Sequence, residues 1–176
     1  MKYKTRRIFK TALTGSNTIR EIIQFLFLAE LIFPVEKRIW IVSPWISNVL
    51  IIDNRGSNFD ALNPEWSNKE IRLMNVLIQL LSVGCPVGIV TNHDEHNTVF
   101  LNLLSENARE KGVDMGLTII QKDQLHTKGI LTSTSLFMGS MNITYNGLEI
   151  NDESMDFDTR PESLAQARLT FESYDQ

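Results

Sequence analysis

The sequence predicts an α/β domain, and three observations carry that reading. Short β-rich runs alternate with longer stretches of helical spacing, glycine and proline punctuate the alternation, and no repeat, low-complexity tract or interdomain linker interrupts it. With 176 residues, 43% hydrophobic and 22% charged, the chain suits one domain over residues 1–176, large enough to bury roughly 70% of its unfolded surface.

The opening is basic. Lys2, Lys4, Arg6, Arg7 and Lys10 carry no acid among them, which reads as an N-terminal arm of about residues 1–15, either solvated or laid along a phosphate backbone. Residues 19–33 follow as a largely buried amphipathic helix, capped by Ser16 or Asn17, ended by Pro34, and placed for a dimer interface. Arg20, Glu21 and Glu30 interrupt its apolar run, which is shorter than the ~20 residues a membrane span needs. Residues 38–43 are β-rich and closed by Pro44. Residues 69–83 have helical spacing through Ile71, Met74, Leu77, Ile78 and Leu81, with Gly84 as the stop. Residues 86–91 form the next strand. Residues 97–111 form a helix with Val99, Phe100, Leu103 and Leu104 inward, ended by Gly112. Strands are expected at 117–120 and 125–131, a hairpin return at 136–138, a last strand at 155–157 and a closing helix at 161–174.

The net charge of -4 does not by itself point to nucleic acid. The single Cys85 excludes an internal disulfide and fits a reducing cytoplasm; no secretory signal opens the chain. Between the first two core elements runs a long loop carrying Trp45, Arg55, Phe59 and Trp66. Its aromatic rings either stack on bases while Arg55 meets a phosphate, or anchor the loop to the body. His93, Asp94, Glu95 and His96 invite a metal, but adjacent residues at a helix start diverge. Asp94 or Asn92 is read as an N-cap, and no metal or cofactor is expected.

The chemistry concentrates at His126, Lys128 and the turn Gly139-Ser140-Met141-Asn142. Two residues apart on a strand, the imidazole and the ammonium leave one face, setting a nucleophile beside a fixed positive charge. Eleven residues beyond Lys128, the Gly-Ser turn supplies backbone N–H groups, a hydroxyl and an amide, a set that suits a phosphate.

These residues resemble the phospholipase D superfamily, whose signature is His-x-Lys, four residues, Asp, six residues, Gly-Ser-x-Asn. The match is His126, Lys128, Gly139, Ser140 and Asn142; Ser133 stands in the place of the Asp, and the interval to Gly139 is one residue short. The resemblance implies a phospholipase-D-like fold, a mixed sheet flanked by helices, over about residues 36–157. It implies a metal-independent phosphodiesterase in which His126 forms a phosphohistidine, Lys128 and Asn142 hold the non-bridging oxygens, and Ser140 bonds within the phosphate pocket. It further implies an acid that orients the imidazole, Glu153 first and Glu149 second. Gly139, Trp45, Arg55 and Glu149 are expected to contact substrate.

Such a reaction needs two histidines and the chain has the motif once, so the resemblance implies an isologous homodimer. Short single-motif members are mostly nucleases, which makes DNA the expected partner. Residues 43–47, 53–55 and 139–142 also resemble the phospholipase-D-like component of bacterial DNA-modification or phage-defence clusters, implying further subunits. A degenerate nucleic-acid-binding or scaffold subunit and a lipid or small-diester hydrolase are the alternatives.

Overall fold

The computed structural model describes residues 4–11 and 17–176. In chain order the elements are β1 (Thr5–Lys10), α1 (Asn17–Ile32), β2 (Ile39–Val42), β3 (Leu50–Asn54), β4 (Lys69–Arg72), α2 (Leu73–Ser82), β5 (Val87–Asn92) and α3 (Glu95–Glu110). They continue with β6 (Leu117–Lys122), β7 (Gly129–Leu131), β8 (Leu136–Gly139), a turn of π-helix at Asn146–Ile150, β9 (Glu153–Asp158) and α4 (Pro161–Glu172).

A seven-stranded sheet runs β1-β9-β8-β7-β2-β5-β6. β2, β5 and β6 are parallel, whereas β7, β8, β9 and β1 continue outward from β2 by antiparallel pairing. The expected mixed sheet flanked by helices is present. Helices cover both faces. Ile39 and Ile41 enter the larger core with α1, α2 and α3, while Trp40 and Val42 pack with Ala167 and Phe171 of α4. Burial on both faces explains why β2 is an unbroken apolar run rather than an alternating one.

Several expectations change. The basic opening is not an arm over Thr5–Lys10: it is β1, paired along its length with β9. Arg7 forks onto Asp156 and Lys10 is buried. Lys2 and Ser16 lie outside the described residues. The loop after β2 contains β3, which pairs with β4 as a separate hairpin, so the helix expected from residue 69 starts at Leu73. Leu50-Ile51-Ile52 lacks alternation because Ile51 and Ile52 are both buried, and that hid the strand. In α3, Phe100, Leu101, Leu104 and Ala108 face inward, and Val99 and Leu103 are exposed. Apolar residues outnumber the positions its inner face offers. Gly84 and Gly112 do follow α2 and α3, both at positive φ. Among the described residues no helix is long and apolar enough to cross a membrane.

The pairing registers decide where function can sit. Val42 is level with Gly129, Gly129 with Met138, Gly139 with Met155, and Lys10 with Glu153. The C-terminal ends of β1, β2, β5 and β8 and the starts of β7 and β9 therefore share one edge of the sheet. β2 is the switch point, with a parallel neighbour on one side and an antiparallel one on the other, where open α/β sheets leave a crevice.

Candidate active site

That edge gathers His126, Lys128 and the Gly139–Asn142 turn with Glu153 and Trp45. The ladder of β7 begins only at Gly129, shorter than the strand expected from 125, so His126 and Lys128 stand on the segment leading into it. They are not equivalent side chains on one face. His126 is exposed, and among the described residues its ring has no hydrogen-bond partner, whereas Lys128 is buried and its Nζ donates to the His126 carbonyl at 2.7 Å. Burial pushes the Lys128 ammonium below the ordinary lysine value, with the Glu153 carboxylate opposing. The result is a free imidazole on a backbone pinned from beneath by its own lysine.

The segment is pinned from the other side by Asn92, read from the sequence only as an alternative N-cap, and by Asn97, which the sequence reading missed. Asn92 Oδ1 accepts from Leu125 N at 3.0 Å. Asn97, fully buried, donates to Pro44 O, Thr91 Oγ1 and Asn92 O and accepts from Ile46 N. One side chain thus ties the end of β5 to the loop after β2. Asn97 carries no sequence signal, because a polar residue in the first turn of a helix reads as solvated.

After β8 the chain makes the Gly139–Asn142 turn. A Cβ on Gly139 would run into Ser154 O and the Met155 side chain, so glycine is what lets β8 and β9 close at this point. Ser140 Oγ donates to Glu153 Oε2 and accepts from Ser154 N at 3.0 Å. Its hydroxyl holds the turn instead of standing free for a phosphate. Asn142 Oδ1 is approached by Trp45 N at 3.4 Å. No hydrogen bond engages its amide N–H₂ among the described residues, which leaves two donors available. Ser43 Oγ accepts from Ile143 N at 2.9 Å and donates to Trp45 O at 2.6 Å, locking the loop after β2 onto the turn.

Glu153 is 8% exposed, at the start of β9, and meets Ser140 rather than His126; among the described residues no carboxylate bonds the His126 imidazole. Glu149 is ion-paired with Arg20 of α1 at 2.5 Å, which anchors the π-turn. Trp45 is 43% exposed, and its indole donates to Asp94 at 2.9 Å, holding that carboxyl below its ordinary value. Arg55 lies on the β3–β4 hairpin, forked onto Asp53 and near Glu70. It is not brought to the cluster. Trp66 is buried and Phe59 packs on the core, so they anchor their loop.

Asp94 caps α3, as its position predicts, by accepting from His96 N at 2.8 Å. His96 turns to Ser47 and His93 toward Asp123. No group of three or more potential ligands stands together among the described residues.

Ser133, in the place of the signature Asp, occupies the turn between β7 and β8 at the opposite end of these strands from His126. Its N and Oγ donate to Glu30 Oε1 at 2.8 and 2.5 Å. A carboxylate is still present at this turn, supplied by α1.

Comparison with solved structures gives matches over almost the whole chain. NucT from Helicobacter pylori aligns with a TM-score of 0.61 at 12% identity, over 97% of this chain and 96% of that one. Nuc from Salmonella typhimurium, described as a phospholipase D family member, aligns with a TM-score of 0.61 at 14% identity, over 99% and 93%. TrmBL2, an archaeal chromatin protein described as showing a novel mode of DNA binding, aligns with a TM-score of 0.53 at 10% identity, over 96% and 51%. At these identities the likeness is one of fold. Curated proteins gave no match. A family profile described as cardiolipin synthase, PLD-like domain, matches residues 36–174. The match spans the sheet from β2 to α4 together with the edge bearing His126, Lys128, Ser140, Asn142 and Glu153, and the chain belongs to that phospholipase-D-like family, whose members are phosphodiesterases and phospholipase-like enzymes.

Proposed function

We propose that the protein is a phosphodiesterase that cleaves DNA through a covalent phosphohistidine, in a homodimer whose two copies face one scissile phosphate. The observation that carries the reading is the exposed His126 imidazole, without a hydrogen-bond partner among the described residues, on the same sheet edge as the Lys128 ammonium and the Asn142 amide. A ring nitrogen of His126 attacks phosphorus, the bond to the leaving oxygen breaks, and that oxygen takes a proton from the imidazolium of the second copy's His126. The same imidazole then removes a proton from water. The resulting hydroxide attacks phosphorus, the P–N bond breaks, and His126 is restored.

Lys128 and the Asn142 N–H₂ stabilise charge building on the non-bridging oxygens, each worth about 3–4 kcal/mol if it acts as a preorganised donor. General acid catalysis is worth ~10²–10⁴-fold, which is the reason for expecting a second copy. In that reading the two copies meet through the edge that bears His126; exposed Phe25, Ile32 and Phe33 lie on and just after the stretch of α1 that meets Ser133 at the other end of the strands. DNA is supported by the likeness to a DNA-binding chromatin protein and by the half-exposed Trp45 beside Asn142. Further subunits of a DNA-modification or defence system rest on the loop residues alone.

The degenerate-scaffold reading is weakened because the altered signature position lies away from the imidazole. A lipid or small-diester substrate is the second reading, favoured by the cardiolipin synthase description of the family. Purified protein in excess chelator, given DNA, RNA and phospholipid in parallel, separates these. DNA cleavage lost in His126→Ala is expected; metal-dependent cleavage that survives the substitution would overturn the proposal.

A further inference from the structure

Lys10 closes β1 directly opposite Glu153 in the β1–β9 ladder. Opposed residues of an antiparallel pair project from the same face with adjacent Cβ atoms. Here that is the face of Ile8 and Met155, whose core includes α1. Lys10 is 2% exposed, and its Nζ has no hydrogen-bond partner among the described residues. A lone ammonium in such a place is strongly unfavourable unless opposite charge faces it. Glu153, level with it in the ladder, supplies that charge across the sheet face with no ion pair joining the two among the described residues, and Glu149 and Asp152 add to it. Glu149 already pairs with Arg20, and Asp152 is exposed. Glu153 is the buried carboxylate among them, and its charge also acts on the second buried ammonium, Lys128.

We propose that Lys10 is a positioning residue of the active site. Its ammonium acts across the ladder on the Glu153 carboxylate that accepts from the Ser140 hydroxyl, and through that bond steadies the turn that presents Asn142. No charge comes from Lys10 to the substrate. It acts by adding its charge to that of Lys128 in favouring the buried carboxylate, so that the turn between β8 and β9 retains one geometry when an anion arrives. This rests on the phosphodiesterase reading given above, and it assigns a function to the part of the basic opening that turns inward.

The test uses the full chain as wild type, Lys10→Met, Lys10→Arg, Glu153→Gln and the Lys10→Met/Glu153→Gln double variant. Expected are a fall in kcat of about tenfold or more in Lys10→Met with KM changed by less than about twofold, and recovery of most of that loss in Lys10→Arg. In urea unfolding, the shift in midpoint caused by Lys10→Met should largely vanish in the Glu153→Gln background. Lys10→Gln, which keeps a polar end, replaces Lys10→Met if the latter does not fold. Unchanged kcat, or equal impairment by Met and Arg with additive unfolding shifts, would overturn the proposal. The unfolding cycle needs no turnover, so a wild-type protein that cleaves no diester would sink the proposed function while Lys10–Glu153 coupling is still decided.

Discussion

Ser133 is a residue at which sequence comparison and local physics point in opposite directions. Restoring the signature Asp there would set a second carboxylate against Glu30, which is buried and already accepts from Ser133 N and Oγ. Ser133→Asp should therefore destabilise the fold by about 1–3 kcal/mol, the usual range for an unsatisfied buried polar group, and Glu30→Gln should recover part of that. Urea midpoints of the single and double variants check this. His126→Ala, by contrast, removes an exposed side chain and should shift stability by less than about 0.5 kcal/mol while abolishing turnover. The motif made His126, Lys128, Ser140, Asn142 and Glu153 legible in the sequence, because their spacing follows from a short hairpin. Lys10 was not legible: its partner lies 143 positions away, and no local pattern tells an inward lysine on an edge strand from a solvated one.

Among elements, β1 shows how chain context overrides composition. Five cations in ten residues read as an arm, yet Thr5 to Lys10 pair with β9 as an edge strand, and Asp156 takes up Arg7. That ion pair is exposed and screened by solvent, so Arg7→Ala should leave stability nearly unchanged. The hinge between β8 and β9 is far less tolerant. Gly139→Ala would drive a Cβ into Ser154 O and force the turn open, with an expected loss of about 2 kcal/mol or more and a matching fall in turnover. Thermal melts and initial rates on the same preparation check both. The alternation of β5, α3 and β6 was readable because Pro86, Asp94 and Gly112 punctuate it. The hairpin of β3 and β4 was not, since burial on both sides of Ile51 and Ile52 erases the two-residue period.

For the molecule as a whole, charge is arranged so that stability and activity move apart at high pH. Burial holds the Lys10 and Lys128 ammoniums below the ordinary lysine value, so between the folded values and about 10.4 the unfolded chain binds more protons. From these two groups, stability should rise with pH across that window, while turnover falls as the two cations are lost. At the acid end, the Arg160 guanidinium holds the Asp158 carboxyl far below its ordinary value. That contribution is complete above about pH 3.9 and is lost as pH falls through the folded value. Urea midpoints and initial rates at matched pH from 7 to 10 check the divergence.

The central claim is that the exposed imidazole on this sheet edge becomes covalently phosphorylated. It is tested most directly by rapid acid-free quenching of the protein with a DNA diester in chelator, followed by mass mapping of the chain. One phosphoryl-linked adduct on His126, absent from His126→Ala and cleared on standing with water, is the expected result. Turnover without any adduct, or an adduct on another residue that persists in His126→Ala, would contradict it.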